Sequence, residues 1–261
     1  MTILSYDGSF DGLLTAVFEV YERQLAPARL VPPERSTPEV FGETLSVITD
    51  LEKANRVWQG LEKRLSKQSL SDIYSGYLSE LPEREDRLLA FIRLAFDSPS
   101  EEKVEENFRD PNVLWVAQTG RKLFREKHRF EAFVRFQALA DGTHYAAIDP
   151  DFNVIPLIIP HFVRRYNTLE WIIYDSRRRY GAHWDGQRVE EVRFEFASTA
   201  QQRPGLAPAA SYGPEEELYQ HLWQDYYRSV NIPVRKNLKL HRQHVPQRYW
   251  KYLVEKQPER S

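Results

Sequence analysis

Apolar side chains recur at helical spacing through the first half of the chain and at strand spacing through much of the second. Phe10, Leu13, Leu14, Val17, Phe18 and Tyr21 fall on one face, which predicts an amphipathic helix over 10–25 with Ser9 as its N-cap. Residues 2–6 read as a short strand and Asp7-Gly8-Ser9 as the turn between them, while Pro27, Pro32 and Pro33 end the helix. Residues 38–67 look helical in part. Leu70, Ile73, Tyr74, Tyr77 and Leu78 mark another helix, and Leu88, Leu89, Ile92 and Phe96 a third. A polar, acidic run over 98–110 reads as a loop with a short helical piece. Helical spacing returns over 112–128, where Val113, Val116, Ala117, Leu123 and Phe124 are apolar and Arg121, Lys122, Arg125 and Lys127 suit the negative end of the helix dipole.

The period then changes. Residues 132–139 and 144–149 read as strands joined through Asp141-Gly142, a strong hairpin signal. Residues 153–166 look helical despite Pro156 and Pro160. Strands follow over 171–175, 180–184 and 188–196, the last two joined through Asp185-Gly186. The fold class predicted is α+β, a mostly antiparallel sheet with helices packed on it, and a helical N-terminal and middle region. The organisation predicted is a main domain over 1–197 with a helical insertion at about 38–110. An Ala/Pro/Gln-rich flexible linker over 198–214 follows, then a helix and basic–aromatic tail over 215–261 that docks on the main domain.

Composition narrows the chemistry. With 41% hydrophobic residues and 14 Phe, 14 Tyr and 6 Trp, the chain can build a core. It has no cysteine, which removes disulfides, thiolate zinc sites, a Cys nucleophile and a self-ligated iron–sulfur cluster. No cofactor is expected, since neither a phosphate-binding loop nor a Gly-x-Gly-x-x-Gly fingerprint is present. No apolar run is long enough to span a membrane and no signal-peptide pattern opens the chain, so a cytoplasmic location is expected. Net charge is −2, but residues 34–110 carry 17 acidic and 11 basic side chains whereas 111–261 carry 17 and 23. An acidic front and a basic back suit a polyanion on the basic side.

Five stretches in order resemble one family. They are Tyr6-Asp7-Gly8-Ser9-Phe10-Asp11-Gly12-Leu13-Leu14; His128 through Phe136; Asn153 through Arg165; Trp171-Ile172-Ile173-Tyr174-Asp175 with Arg178; and Pro246-Gln247-Arg248-Tyr249-Trp250-Lys251. Together they resemble a bacterial family of DNA-metabolism or DNA-repair proteins, encoded beside a DNA-modification or repair radical-SAM protein. The same domain is similar to an uncharacterised one fused C-terminally to uracil-DNA-glycosylase-like domains. The resemblance implies a role in DNA repair or modification and no settled reaction.

Arginine and lysine neutralise phosphates and aromatic rings stack unpaired bases. The nucleic-acid-binding candidates are therefore Arg129, Arg135, Arg164, Arg165, Arg177, Arg178 and Arg179, with Arg235, Lys236, Lys239, Arg242, Arg248, Tyr249, Trp250 and Lys251 of the tail. Trp171, Trp184 and Trp223 fit a core better than a stacking role. His161 with Asp175 could form an acid/base pair, although Asp175 is equally placed to pair with Arg178 or Arg179. His241 and His244 have a spacing a metal can use but no evident third ligand.

Three functions are compatible with these residues. The first is a DNA-binding accessory protein whose radical-SAM partner carries the cluster and the hard chemistry. The second is a glycosylase- or nuclease-like enzyme using His161 and Asp175. The third is a protein–protein adaptor that makes no contact with DNA.

Overall fold

A computed structural model describes residues 1–35, 43–99, 102–193, 245–253 and 256. The fold is α+β, and the chain divides into two compact units, Met1–Arg125 and Glu126–Ser261. The division falls inside a long helix. The Ala/Pro-rich stretch 198–214 and the predicted helix that follows it lie outside the described residues.

In the first unit β1 (Thr2–Ser5) leads through a turn into α1 (Phe10–Glu22), and β2 (Ala28–Val31) returns beside β1. The Ser9 hydroxyl accepts from the Gly12 amide at 2.9 Å and so caps α1. A third strand, β3 (Glu43–Ser46), lies on the other side of β1, and both pairings are parallel. Helices α2 (Leu51–Glu62), α3 (Lys67–Leu78) and α4 (Arg84–Asp97) follow, with Asp50 and Ser66 as side-chain caps of the first two. Leu13, Leu14 and Val17 of α1 share one core with Leu61, Ile73, Leu88 and Ile92 of the later helices. Burial at i, i+3 and i+4 along each helix is what makes these helices stable in context.

Helix α5 (Pro111–Phe133) enters the second unit, whose sheet has the order β4-β5-β6-β7-β8. Its strands are β4 (Gln137–Ala138), β5 (His144–Ile148), β6 (Trp171–Asp175), β7 (Tyr180–Trp184) and β8 (Val189–Val192). The crossover helix α6 (Ile155–Arg165) joins β5 to β6, which are therefore parallel, while their neighbours pair antiparallel. Gly142 and Gly186 take φ of +89° and +92° in the two hairpin turns, which only glycine adopts freely. Trp171, Ile173, Ile158, Phe162 and Phe130 fill the core, joined by Tyr249 and Tyr252 from a 3-10 turn at Gln247–Tyr252.

Two expectations need correction. The sheet of the second unit is mostly antiparallel as expected, three of its four pairings being so, but a second, parallel sheet of three strands stands in the first unit, where only β1 was expected. Residues 132–139 are not one strand: α5 continues to Phe133 and only Gln137–Ala138 pairs with β5. Phe130 and Val134, four apart, are both buried, so helical spacing wins over the apparent alternation of Ala132, Val134 and Phe136.

Candidate nucleic-acid interface

Strands β5 and β6 end together, with Ile148 opposite Asp175. At the carboxyl end of parallel strands the connecting loops converge, and in open α/β sheets ligands bind there. The loop after β5 is Asp149-Pro150-Asp151 and the turn after β6 is Ser176-Arg177-Arg178-Arg179. The Ser176 hydroxyl and amide both donate to the Ile148 carbonyl, at 2.7 and 2.9 Å, which ties the loop and the turn together.

Asp175 organises the turn. It is fully buried, and its Oδ1 accepts from the amides of Arg177 and Arg178 at 2.9 and 3.0 Å. Its Oδ2 accepts from Arg178 Nη1 at 2.9 Å. Burial pushes its carboxyl above the usual aspartate value against the pull of Arg178 and the amides. The Arg178 guanidinium also donates to the carbonyls of Pro150 and Asp151, at 3.2 and 3.1 Å, and so pins one loop to the other.

Around this pair runs a chain of charges. Arg177 donates to Asp149 at 2.9 Å and lies 3.6 Å from Asp151. Lys251 donates to the other oxygen of Asp149 at 2.8 Å. Arg248 pairs with Asp151, reaches Glu126 at 3.2 Å and donates to the Tyr249 hydroxyl at 2.5 Å. Glu126 is buried on α5 and accepts the amides of Asp151 and Phe152 at 2.9 and 3.0 Å. Burial raises the Glu126 carboxyl, and the two amides and Arg248 oppose it. Arg129, one turn further along α5, lies over the Tyr249 ring at 5.7 Å.

The edge thus gathers Arg129, Arg177, Arg178, Arg179, Arg248 and Lys251 around Glu126, Asp149, Asp151 and Asp175. Six cations against four carboxylates leave an excess of two. Arg179 stands at the tip of the turn in the left-handed conformation, φ +58°, exposed and with no side-chain partner among the described residues. The side chains of Arg177 and Arg248 remain 49% and 45% exposed although each is paired. A phosphate can approach their outer faces without breaking the inner pairs.

The other candidates are placed elsewhere or differently. Arg164 and Arg165 are exposed at the far end of α6, about 14 Å of helix rise from Ile155, and so belong to the opposite end of the crossover. Arg135 donates to the Ala132 and Val134 carbonyls at 2.8 and 3.2 Å. Tyr249 is not a stacking platform: the residue is 1% exposed and its ring packs edge-on against Phe130. Trp250 is half-buried, its indole N–H donating to the Val245 carbonyl at 3.0 Å. Arg235, Lys236, Lys239, Arg242, His241 and His244 lie outside the described residues.

His161 and Asp175 are not joined. His161 sits against the Phe162 ring, about 9 Å of rise along α6 from Ile155, while the Asp175 oxygens are taken up by Arg178 and the turn amides. The carboxylates of the network are committed to cations or amides, which suits positioning better than proton transfer. Among the described residues no group of three potential ligands could hold a metal ion. Glu126, Asp149 and Asp151 are site residues that sequence reasoning passed over. The only signal was Asp149-Pro150-Asp151 directly after a predicted strand, facing an arginine triplet directly after another.

The family model described as a domain of unknown function (DUF4130) matches residues 82–255, about two thirds of the chain. No curated protein and no solved structure matches. The chain belongs to the DUF4130 family.

Proposed function

We propose that this member of the DUF4130 family is a DNA-binding accessory protein in DNA repair or modification. It acts in the cytoplasm beside a radical-SAM partner that supplies the iron–sulfur cluster this cysteine-free chain cannot hold. One observation carries the reading. Four of the five stretches that resemble DNA-metabolism proteins meet at the carboxyl edge of β5 and β6, through Arg129, Asn153, Asp175 with Arg178, and Arg248 with Lys251. That convergence produces an edge with a surplus of arginine, the residue suited to fork-like contacts with phosphate.

The test is fluorescence polarisation with labelled single- and double-stranded DNA at low salt, using point variants of the full chain. Truncating the tail is a poor test, because it removes Tyr249 and Tyr252 from the core. Arg179→Ala and Arg129→Ala are expected to weaken binding several-fold each, while Arg164→Ala with Arg165→Ala leaves it unchanged. No measurable DNA affinity in the wild-type chain sinks the reading and favours an adaptor. Co-purification with the radical-SAM protein tests the partner.

A further inference from the structure

The first unit contains a cavity of about 770 Å³, within the range of small-molecule sites, lined by parts of α3, α5 and the segment between α4 and α5. Its polar groups are unevenly spread. Two carboxylates lie among its lining side chains, Asp72 at 9% exposure and Glu105. Glu105 Oε1 accepts from the Ser66 amide at 3.1 Å, but its Oε2 is buried with no hydrogen-bond partner among the described residues. Asp72 accepts from Gln68 at 2.9 Å, and burial pushes its carboxyl up while Gln68 and Arg121 pull it down. Gly120 keeps room for this carboxylate, because a Cβ there would collide with Asp72 Oδ1.

An unpartnered buried acceptor is costly, and it is relieved by a ligand that brings N–H donors. Phe91 and the helix residues Val113 and Val116 add an apolar wall, and Phe108, 48% exposed, offers a ring. Arg121, Lys122 and Arg125 also line the cavity; they are exposed and make no ion pair among the described residues. Donors toward the carboxylates, a flat body against the rings and an anion toward the cations define one ligand chemistry.

We propose that this cavity binds a nucleotide whose base carries an amino group beside a ring N–H, as guanine does, with the base toward Asp72 and Glu105 and the phosphate toward Arg121 and Arg125. The assignment goes beyond the DNA-binding reading and uses none of its residues. Uracil presents two carbonyls around one N–H, which the carboxylates repel, so the site discriminates by base.

The experiment is isothermal titration of the full chain with 5′-GMP, with 5′-UMP and inorganic phosphate as controls. 5′-GMP is expected to bind at least tenfold more tightly than either control. Phe108→Ala, a change at a half-exposed ring that spares the core, and Glu105→Gln are each expected to weaken it about tenfold. No heat from 5′-GMP at millimolar concentration overturns the proposal, and so does equal binding of 5′-UMP, or full affinity in Phe108→Ala. Competition by a guanine-ended DNA oligomer, set against an all-thymine one, identifies an unpaired base in a strand as the source. Failure of both oligomers to compete identifies the free nucleotide. Arg179→Ala leaves 5′-GMP binding intact, which separates this outcome from that of the DNA-binding test.

Discussion

At the scale of single residues, the charge network makes Asp149 more than a surface acid. Burial pushes its carboxyl up, but the hydrogen bonds and charges of Lys251 and Arg177 outweigh that and hold it below the usual 3.8. A carboxyl whose folded-state pKa is depressed binds fewer protons folded than unfolded near that value. It therefore contributes stability above about pH 4, and the contribution fades as the pH falls through the folded pKa. Asp149→Asn is expected to cost about 1–2 kcal/mol at pH 7, because it removes two charge-assisted hydrogen bonds from a partly exposed group. Urea titrations should show the gap from wild type shrinking below pH 4. A gap that stays constant from pH 7 to pH 3 means the loss comes from packing rather than charge.

At the scale of elements, the 3-10 turn Gln247–Tyr252 has two faces. Arg248 and Lys251 reach the acidic loop, while Tyr249 and Tyr252 enter the core against Phe130. Tyr249→Ala is expected to destabilise the chain by about 3–5 kcal/mol, as large aromatic truncations in cores do. Trp250→Ala, at a half-buried ring outside that core cluster, should cost less. Denaturant unfolding with both variants checks the order, and equal losses would count against a tail anchored by Tyr249. In sequence the same six residues read only as a basic–aromatic run, because nothing local distinguishes a ring that packs from one that stacks. The strands Trp171–Asp175 and Tyr180–Trp184 were legible to the residue, since a buried strand and a glycine turn are local signals. β2 and β3 were not. Four-residue strands carry too little periodicity to stand out, β2 lies between prolines besides, and the reason both are strands is the parallel pairing with β1, far away in sequence. The site was half legible: its cations stood out as clusters and Asp175 beside Arg178 was a readable pair, but Glu126, Asp149 and Asp151 lie on α5 and the β5 loop, and only the crossover topology joins them to the rest.

At the scale of the whole molecule, a net charge of −2 predicts no attraction to DNA, yet the charge is divided between the units. Residues 1–125 carry 21 acidic and 16 basic side chains, a net −5, and residues 126–261 carry 17 and 20, a net +3. At physiological salt charges are screened beyond about 8 Å, so a phosphate at the β5–β6 edge responds to the arginines beside it and not to the overall sum. If DNA binds there as proposed, counterion release drives the binding, and the logarithm of the affinity should fall linearly with the logarithm of salt concentration. Each phosphate contact adds roughly 0.9 to that slope on duplex DNA. Replacing both Arg129 and Arg179 by alanine is therefore expected to reduce the slope by about two, a change distinct from the loss of affinity at any one salt concentration. Polarisation titrations between 50 and 200 mM salt, a range of roughly the kind over which such complexes weaken steeply, measure it. An unchanged slope in the double variant would place the phosphates on other cations. The pair Arg164 and Arg165, at the opposite end of α6, is then the next to replace, since they are exposed and paired with no carboxylate among the described residues.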